Sequence, residues 1–261
     1  MDIHKPKPWH SVREFLKEYV IIVVGVLTAL GAEQAAEALH WRHLAAQHES
    51  ELHSSAQFVA LNAIHRLAVD GCLRGELKIV GETLRQPGET WRGLNPAATG
   101  MAADWLPPRL SSPGRAWAYS AWESALGDGS LTHLPRRAVN GYALLFSSSK
   151  DIVAFQSQVS EEMPELTPLA FDQKLTAQDK ARYVAVVART DRTLSLMDNI
   201  ARGILTQAAD GDYWPPEAWI APQLDALRKQ MGDCVQEVQR SDFAVGGRLA
   251  APTTRRWLQG K

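Results

Sequence analysis

The residues that could do chemistry are few, and their spacing does not support it. Glu37-Ala-Leu-His40 has the Glu-x-x-His spacing of di-iron helical bundles. Such a centre takes a second Glu-x-x-His and two further inward glutamates, and this chain has no second copy. His40, His43, His48 and His53 follow one another on the same stretch. Only His40 and His43 have the near spacing of metal ligands. The five-residue steps from His43 to His53 spread those rings round a helix, so solvated histidines are expected rather than a metal or pH-responsive patch. Ser147-Ser-Ser-Lys150 contains a Ser-x-x-Lys, but the Ser-Asp-Asn and Lys-Thr-Gly elements that penicillin-recognising enzymes also need do not occur. Gly127-Asp-Gly129 does not extend to a dinucleotide fingerprint, and the phosphate-cradling loop and the Gly-x-Ser-x-Gly elbow are missing from the sequence. No catalytic, cofactor-binding or metal-ligating residue is assigned, and no cofactor is expected.

Candidate binding residues are easier to name. The chain has nine tryptophans. Two sit in look-alike loops, Asp104-Trp105-Leu106-Pro107-Pro108 and Asp212-Tyr213-Trp214-Pro215-Pro216. A Trp on a rigid Pro-rich loop can stack on a sugar or grip a partner, although such a ring more often packs its loop onto the helices beneath. Gly25, Ala29, Ala32 and Ala36 step by four, three and four. That small-residue row permits close helix approach in a membrane, and Glu33 and Glu37 would face the same seam. A homodimer through this helix is the expectation, with lipid-facing small residues as the alternative. The two cysteines, Cys72 and Cys234, could pair in an oxidising compartment or remain two unrelated buried thiols.

These residues are positioned by the apolar segment near the N-terminus. Residues 19–32 carry no charge and follow Lys5, Lys7, Arg13 and Lys17. Fourteen residues rise about 21 Å as a helix, short of a hydrocarbon core of about 30 Å. The helical pattern continues to Leu39 without a break, and Tyr19 and Trp41 bracket roughly 33 Å, suited to two interfacial aromatic belts. A transmembrane helix over 19–41 is therefore expected, despite Glu33, Gln34 and Glu37 in its last third. The alternatives are a cleaved signal peptide, with small residues at Ala29-Leu30-Gly31, and a soluble core helix. Four Lys/Arg lie in the first eighteen residues and one, Arg42, in the twenty after Leu39. This bias puts residues 1–18 in the cytoplasm and 42–241 in a periplasm, with a mobile tail over 242–261.

With 45% hydrophobic residues and a net charge of −1, the remainder can bury a sizeable core and has no electrostatic footprint for nucleic acid. The pattern reads all-α: a helix over 9–85 with a Leu73, Leu77, Val80, Leu84 stripe, then an irregular Pro/Gly-rich connection over 86–114. Helices follow over 115–126, 135–163, 168–209 and 217–240, with a capping box at Thr176–Asp179 and no sheet.

The block from Glu14 to Gln34, Glu-Phe-Leu-Lys-Glu-Tyr-Val-Ile-Ile-Val-Val-Gly-Val-Leu-Thr-Ala-Leu-Gly-Ala-Glu-Gln, ending in His40-Trp41-Arg42, resembles the N-terminus of a group of uncharacterised bacterial single-pass membrane proteins. The resemblance covers about 30 residues in its specific part. It implies an anchored, helical, extracytoplasmic protein and carries no activity. The expected function is a non-enzymatic envelope scaffold or sensor-like binding module, with the lipid bilayer and an envelope protein or glycan as partners. The alternative is a membrane-anchored enzyme using the Trp loops as a substrate platform.

Overall fold

A computed structural model describes residues 12–94, 110 and 114–244. Among them are five α-helices: α1 (Val12–Leu84), α2 (Ser120–Gly127), α3 (Arg136–Glu162), α4 (Ala177–Asp210) and α5 (Glu217–Met231). The all-α expectation holds, with one small departure. Thr90–Trp91 (β1) and Gln173–Lys174 (β2) form a two-residue antiparallel ladder, too short to show as an alternating pattern.

α1 dominates the architecture. It is one unbroken helix of 73 residues, about 110 Å long at 1.5 Å per residue. Its two halves have opposite surroundings. Nearly every side chain from Val12 to His43 is exposed, and no residue of its most apolar window is buried. That segment is long and apolar enough to cross a membrane and is not part of this chain's core, which removes the core-helix alternative. From Ala45 onward α1 becomes the central strut of the bundle, with Leu52, Ile64, Leu73, Leu77 and Leu84 fully buried. The Leu73–Leu84 stripe faces inward as its spacing requires.

α4 packs along the buried half of α1, and α3 packs on α4. Tyr142 and Phe146 of α3 fill the middle of the core. The start of α4 is fixed by its capping box. Thr176 Oγ1 accepts from the Asp179 N–H at 3.1 Å, and an Asp179 carboxylate oxygen accepts from the Thr176 N–H at 3.0 Å. Lys180 in the first turn donates to the carbonyls of Gln86 and Gly88, tying the end of α1 to the start of α4.

Three helix boundaries differ from the sequence expectation. α4 starts at Ala177, because residues Met163–Ala170, with Pro164 and Pro168, wind as a 3-10 helix. α2 starts at Ser120 rather than 115, because the Gln156 side chain takes both main-chain groups of Arg115, accepting from its N–H at 3.2 Å and donating to its carbonyl at 3.0 Å. α5 stops at Met231 rather than 240, because Gly232 takes φ 84°, which ends the helix and which glycine alone adopts freely.

The segment after Gly232 runs back along α1. The Gln236 N–H donates to the Ala68 carbonyl at 2.9 Å. Gly71 faces this segment: a Cβ there would meet the end of the Gln236 side chain at 2.9 Å and the Cys234 carbonyl at 3.4 Å. One residue further on, Cys72 is joined to Cys234 by a disulfide, with the Cα atoms 5.1 Å apart. Cys234 therefore lies beyond α5, not within a helix over 217–240.

Candidate functional site

Two polar regions stand out. The first is a shallow groove of about 530 Å³ between α1 and α2, lined by Ser50, Glu51, Ser54, Ser55, Ser120 and Ser124. On an ideal helix Ser50 to Ser55 lie about 14–21 Å beyond Trp41. Beside the groove, His48 is buried and its Nε2 sits 2.7 Å from an Asp128 carboxylate oxygen. The Ser130 backbone N–H, donating at 2.9 Å, holds the Asp128 carboxyl below its usual range, and His48 adds to the effect. This pair clamps the α2 end onto α1. At the foot of the bundle the Trp41 ring stacks on His133 with centroids 4.3 Å apart, and its indole N–H donates to Glu37 at 3.3 Å.

The second region is a charged seam inside the bundle. Arg66, Asp70 and Arg74 lie one turn apart on α1 and face Asp191 and Asp198 of α4. Arg66 Nη2 donates to Asp70 at 3.1 Å and stands 2.9 Å from Asp198, off the line of a hydrogen bond. Arg74 Nε donates to Asp191 at 2.7 Å. Arg66 and Asp198 are both buried. Burial first, then the neighbouring Asp70 that accepts its proton, raises the Asp198 pKa, and Arg66 opposes the rise. Such a seam fixes the register of α1 against α4, because sliding either helix by one turn leaves buried charges unpaired.

Next to the seam is a small cavity of about 10 Å³, lined by His65, Arg66, Val69, Arg115, Trp117, Gln156 and Met197. Burial, then the charge of Arg115, lowers the His65 pKa to about 4, so the ring is neutral at pH 7. Elsewhere in the core Glu49 is buried near Tyr142 and Tyr213, and burial raises its pKa.

The residues singled out from sequence are dispersed. Trp105 lies outside the described residues. Trp214 is half-buried, packs against Phe243 with centroids 6.1 Å apart, and its carbonyl accepts from Gln57 at 3.4 Å. The ring packs its loop down. Gly25, Ala29, Ala32, Glu33, Ala36 and Glu37 are all exposed along the free half of α1. The four histidines do not converge. His40 and His43 are exposed, His48 is buried against Asp128, and His53 meets Tyr213 edge-on at 5.7 Å. No cluster of three metal-ligating side chains occurs among the described residues. In the Ser-x-x-Lys, Ser147 bonds the Leu144 carbonyl while Lys150 pairs with Glu123 at 2.8 Å.

The charged seam and the cavity were not read from sequence. A signal existed: Asn62, Arg66, Asp70, Arg74, Lys78 and Glu82 form a polar row at four-residue steps alongside the apolar Leu73–Leu84 stripe. The α4 partners of Arg66 and Arg74 lie more than a hundred residues away, which local periodicity does not reveal.

No family model, no curated protein and no solved structure matches this chain.

Proposed function

We propose that the chain is a non-enzymatic, membrane-anchored binding module. In this reading residues 19–41 cross a bacterial inner membrane with the N-terminus inside, and the bundle of residues 42–241 stands in the periplasm and binds another envelope component. One observation carries the reading: α1 is divided between an exposed apolar half and a half that forms the centre of the core. Lipid would cover the first half, while the second holds the bundle rigidly above the surface. The Lys/Arg asymmetry supports the orientation. The disulfide suits an oxidising compartment. The groove suits recognition of an envelope protein or glycan rather than catalysis, since it is shallow, its serines stand beside Ala121 and apolar surface, and it holds one carboxylate, Glu51. The row Gly25, Ala29, Ala32 and Ala36 would pair two copies, with Glu33 and Glu37 kept out of lipid in the seam.

The test is a photo-crosslinking amino acid placed at Ser54 or Ser124 in the groove of the full chain, in living cells, with Glu161 on α3 as the exposed control. A discrete adduct from both groove positions and none from the control is expected. Uniform labelling, or none from the groove, overturns the binding reading. Topology is checked separately by a C-terminal exported-phosphatase fusion, expected to be active. Release of the full chain by high-pH carbonate would overturn the anchor.

A further inference from the structure

We propose that the cavity between α1, α3 and the segment before α2 is a binding site for a single halide-sized anion, held by Arg66 and Arg115 beside His65. The proposal rests on which polar groups around the cavity are already used. Gln156 lines it, but its Oε1 already accepts from the Arg115 N–H and from Trp117 Nε1 at 3.1 Å, and its Nε2 donates to the Arg115 carbonyl. Trp117 Nε1 is spent on that same bond. What remains is a set of buried nitrogens with no hydrogen-bond partner: Nε and Nη1 of Arg66, Nε of Arg115, and both ring nitrogens of His65. Arg66 is 6 % exposed and His65 is 2 % exposed, so neither side chain turns to bulk water for a partner.

Guanidinium nitrogens donate and never accept. An occupant beside the guanidinium nitrogens must therefore accept several hydrogen bonds at once, and the neutral His65 ring adds one N–H donor while its other nitrogen is an acceptor. No carboxylate lines it among the described residues. Asp70 and Asp198 meet Arg66 from the α1 and α4 sides through Nη2, leaving Nε and Nη1 unmatched. Arg115 has no ion-pair partner among the described residues, and burial lowers its pKa accordingly. A volume of about 10 Å³ leaves room for one small occupant such as a monatomic ion or a water. A water can accept only two hydrogen bonds and carries no charge. A halide accepts from every direction and sets a counter-charge beside the partly buried Arg115 guanidinium.

The experiment uses the full chain in detergent, with chloride exchanged for gluconate at constant ionic strength, and reads the thermal unfolding midpoint. Chloride at ten times its Kd multiplies the folded-state weight about elevenfold. That corresponds to a saturable rise of about 3–6 °C for a domain of this size. Bromide is expected to act alike. Arg115→Gln removes the chloride-dependent rise and leaves the Gln156 bonds to the main chain of residue 115 in place. A midpoint indifferent to chloride, or an undiminished rise in Arg115→Gln, overturns the site. Anomalous diffraction from bromide-grown crystals of the unsubstituted chain gives an answer even if the variant fails to fold. A peak within hydrogen-bond reach of Arg66 and Arg115 supports the proposal, and a water alone in the cavity overturns it.

Discussion

Acidification should expose the strain of keeping His65 neutral. In the folded chain the ring has a pKa near 4, against 6.5 when exposed. The unfolded chain therefore takes up this proton first, and stability falls as pH drops below 6.5, with the loss levelling off below about 4. Each pH unit of difference is worth 1.36 kcal/mol, so the full loss is about 3 kcal/mol, of which about 2 kcal/mol has gone by pH 5. His65→Gln removes the titrating group, and its stability should lack that component. Asp198 and Glu49 act with the opposite sign. Their raised pKa values make the folded state the better proton acceptor, so their contribution improves as pH falls. They are present in both proteins and cancel in the difference. The assay is urea unfolding of both proteins from pH 7.5 to 4.5, followed by tryptophan fluorescence in gluconate buffer so that no halide shifts the ring. The stability difference between the two proteins should change by about 2 kcal/mol on going from pH 7.5 to 5. A difference that stays constant across that range would refute a buried, neutral His65.

Removing the disulfide with Cys72→Ala and Cys234→Ala frees a chain segment of 162 residues, and the loop-entropy argument sets the cost at up to about 5 kcal/mol; chemical unfolding with and without reductant measures it, and an unchanged midpoint would contradict it. Ala29→Leu with Ala32→Leu should weaken self-association in a membrane-helix association assay, while Val23→Ala with Leu27→Ala should not; equal effects would leave α1 a monomeric anchor. Thr176→Ala should lose about 1 kcal/mol through the capping box at the start of α4, a midpoint drop of about 2–4 °C, and Thr176→Ser should restore most of it.

What could be read from sequence was local. The Leu73, Leu77, Val80, Leu84 row, the Thr176–Asp179 box and the Pro135 entry to α3 each declare themselves within a few residues, and the structure keeps all three. The misplaced boundaries were decided by distant partners. Arg115 is helix-compatible by type, yet a glutamine forty-one residues away takes both its main-chain groups and keeps it out of the helix. Gly232 ends α5 although apolar residues continue beyond it, because the chain must turn there to reach Ala68. The charged seam has the same character. Asp198 looks like an ordinary surface residue of a helix until Arg66 is seen against it.

The Cys72–Cys234 link also decides what a protease can do to this molecule. Cys72 lies on α1 itself, so the far end of the bundle is joined covalently to the helix that bears the exposed apolar segment. A single backbone cut anywhere between residues 73 and 233, in an exposed connection or within a helix, leaves one covalent species. On a reducing gel the digest separates into two bands, and without reductant it runs as the intact chain. A single cut therefore sheds the bundle from its apolar stem only before Cys72, where α1 is unbroken helix, or with a reductant acting together with the protease.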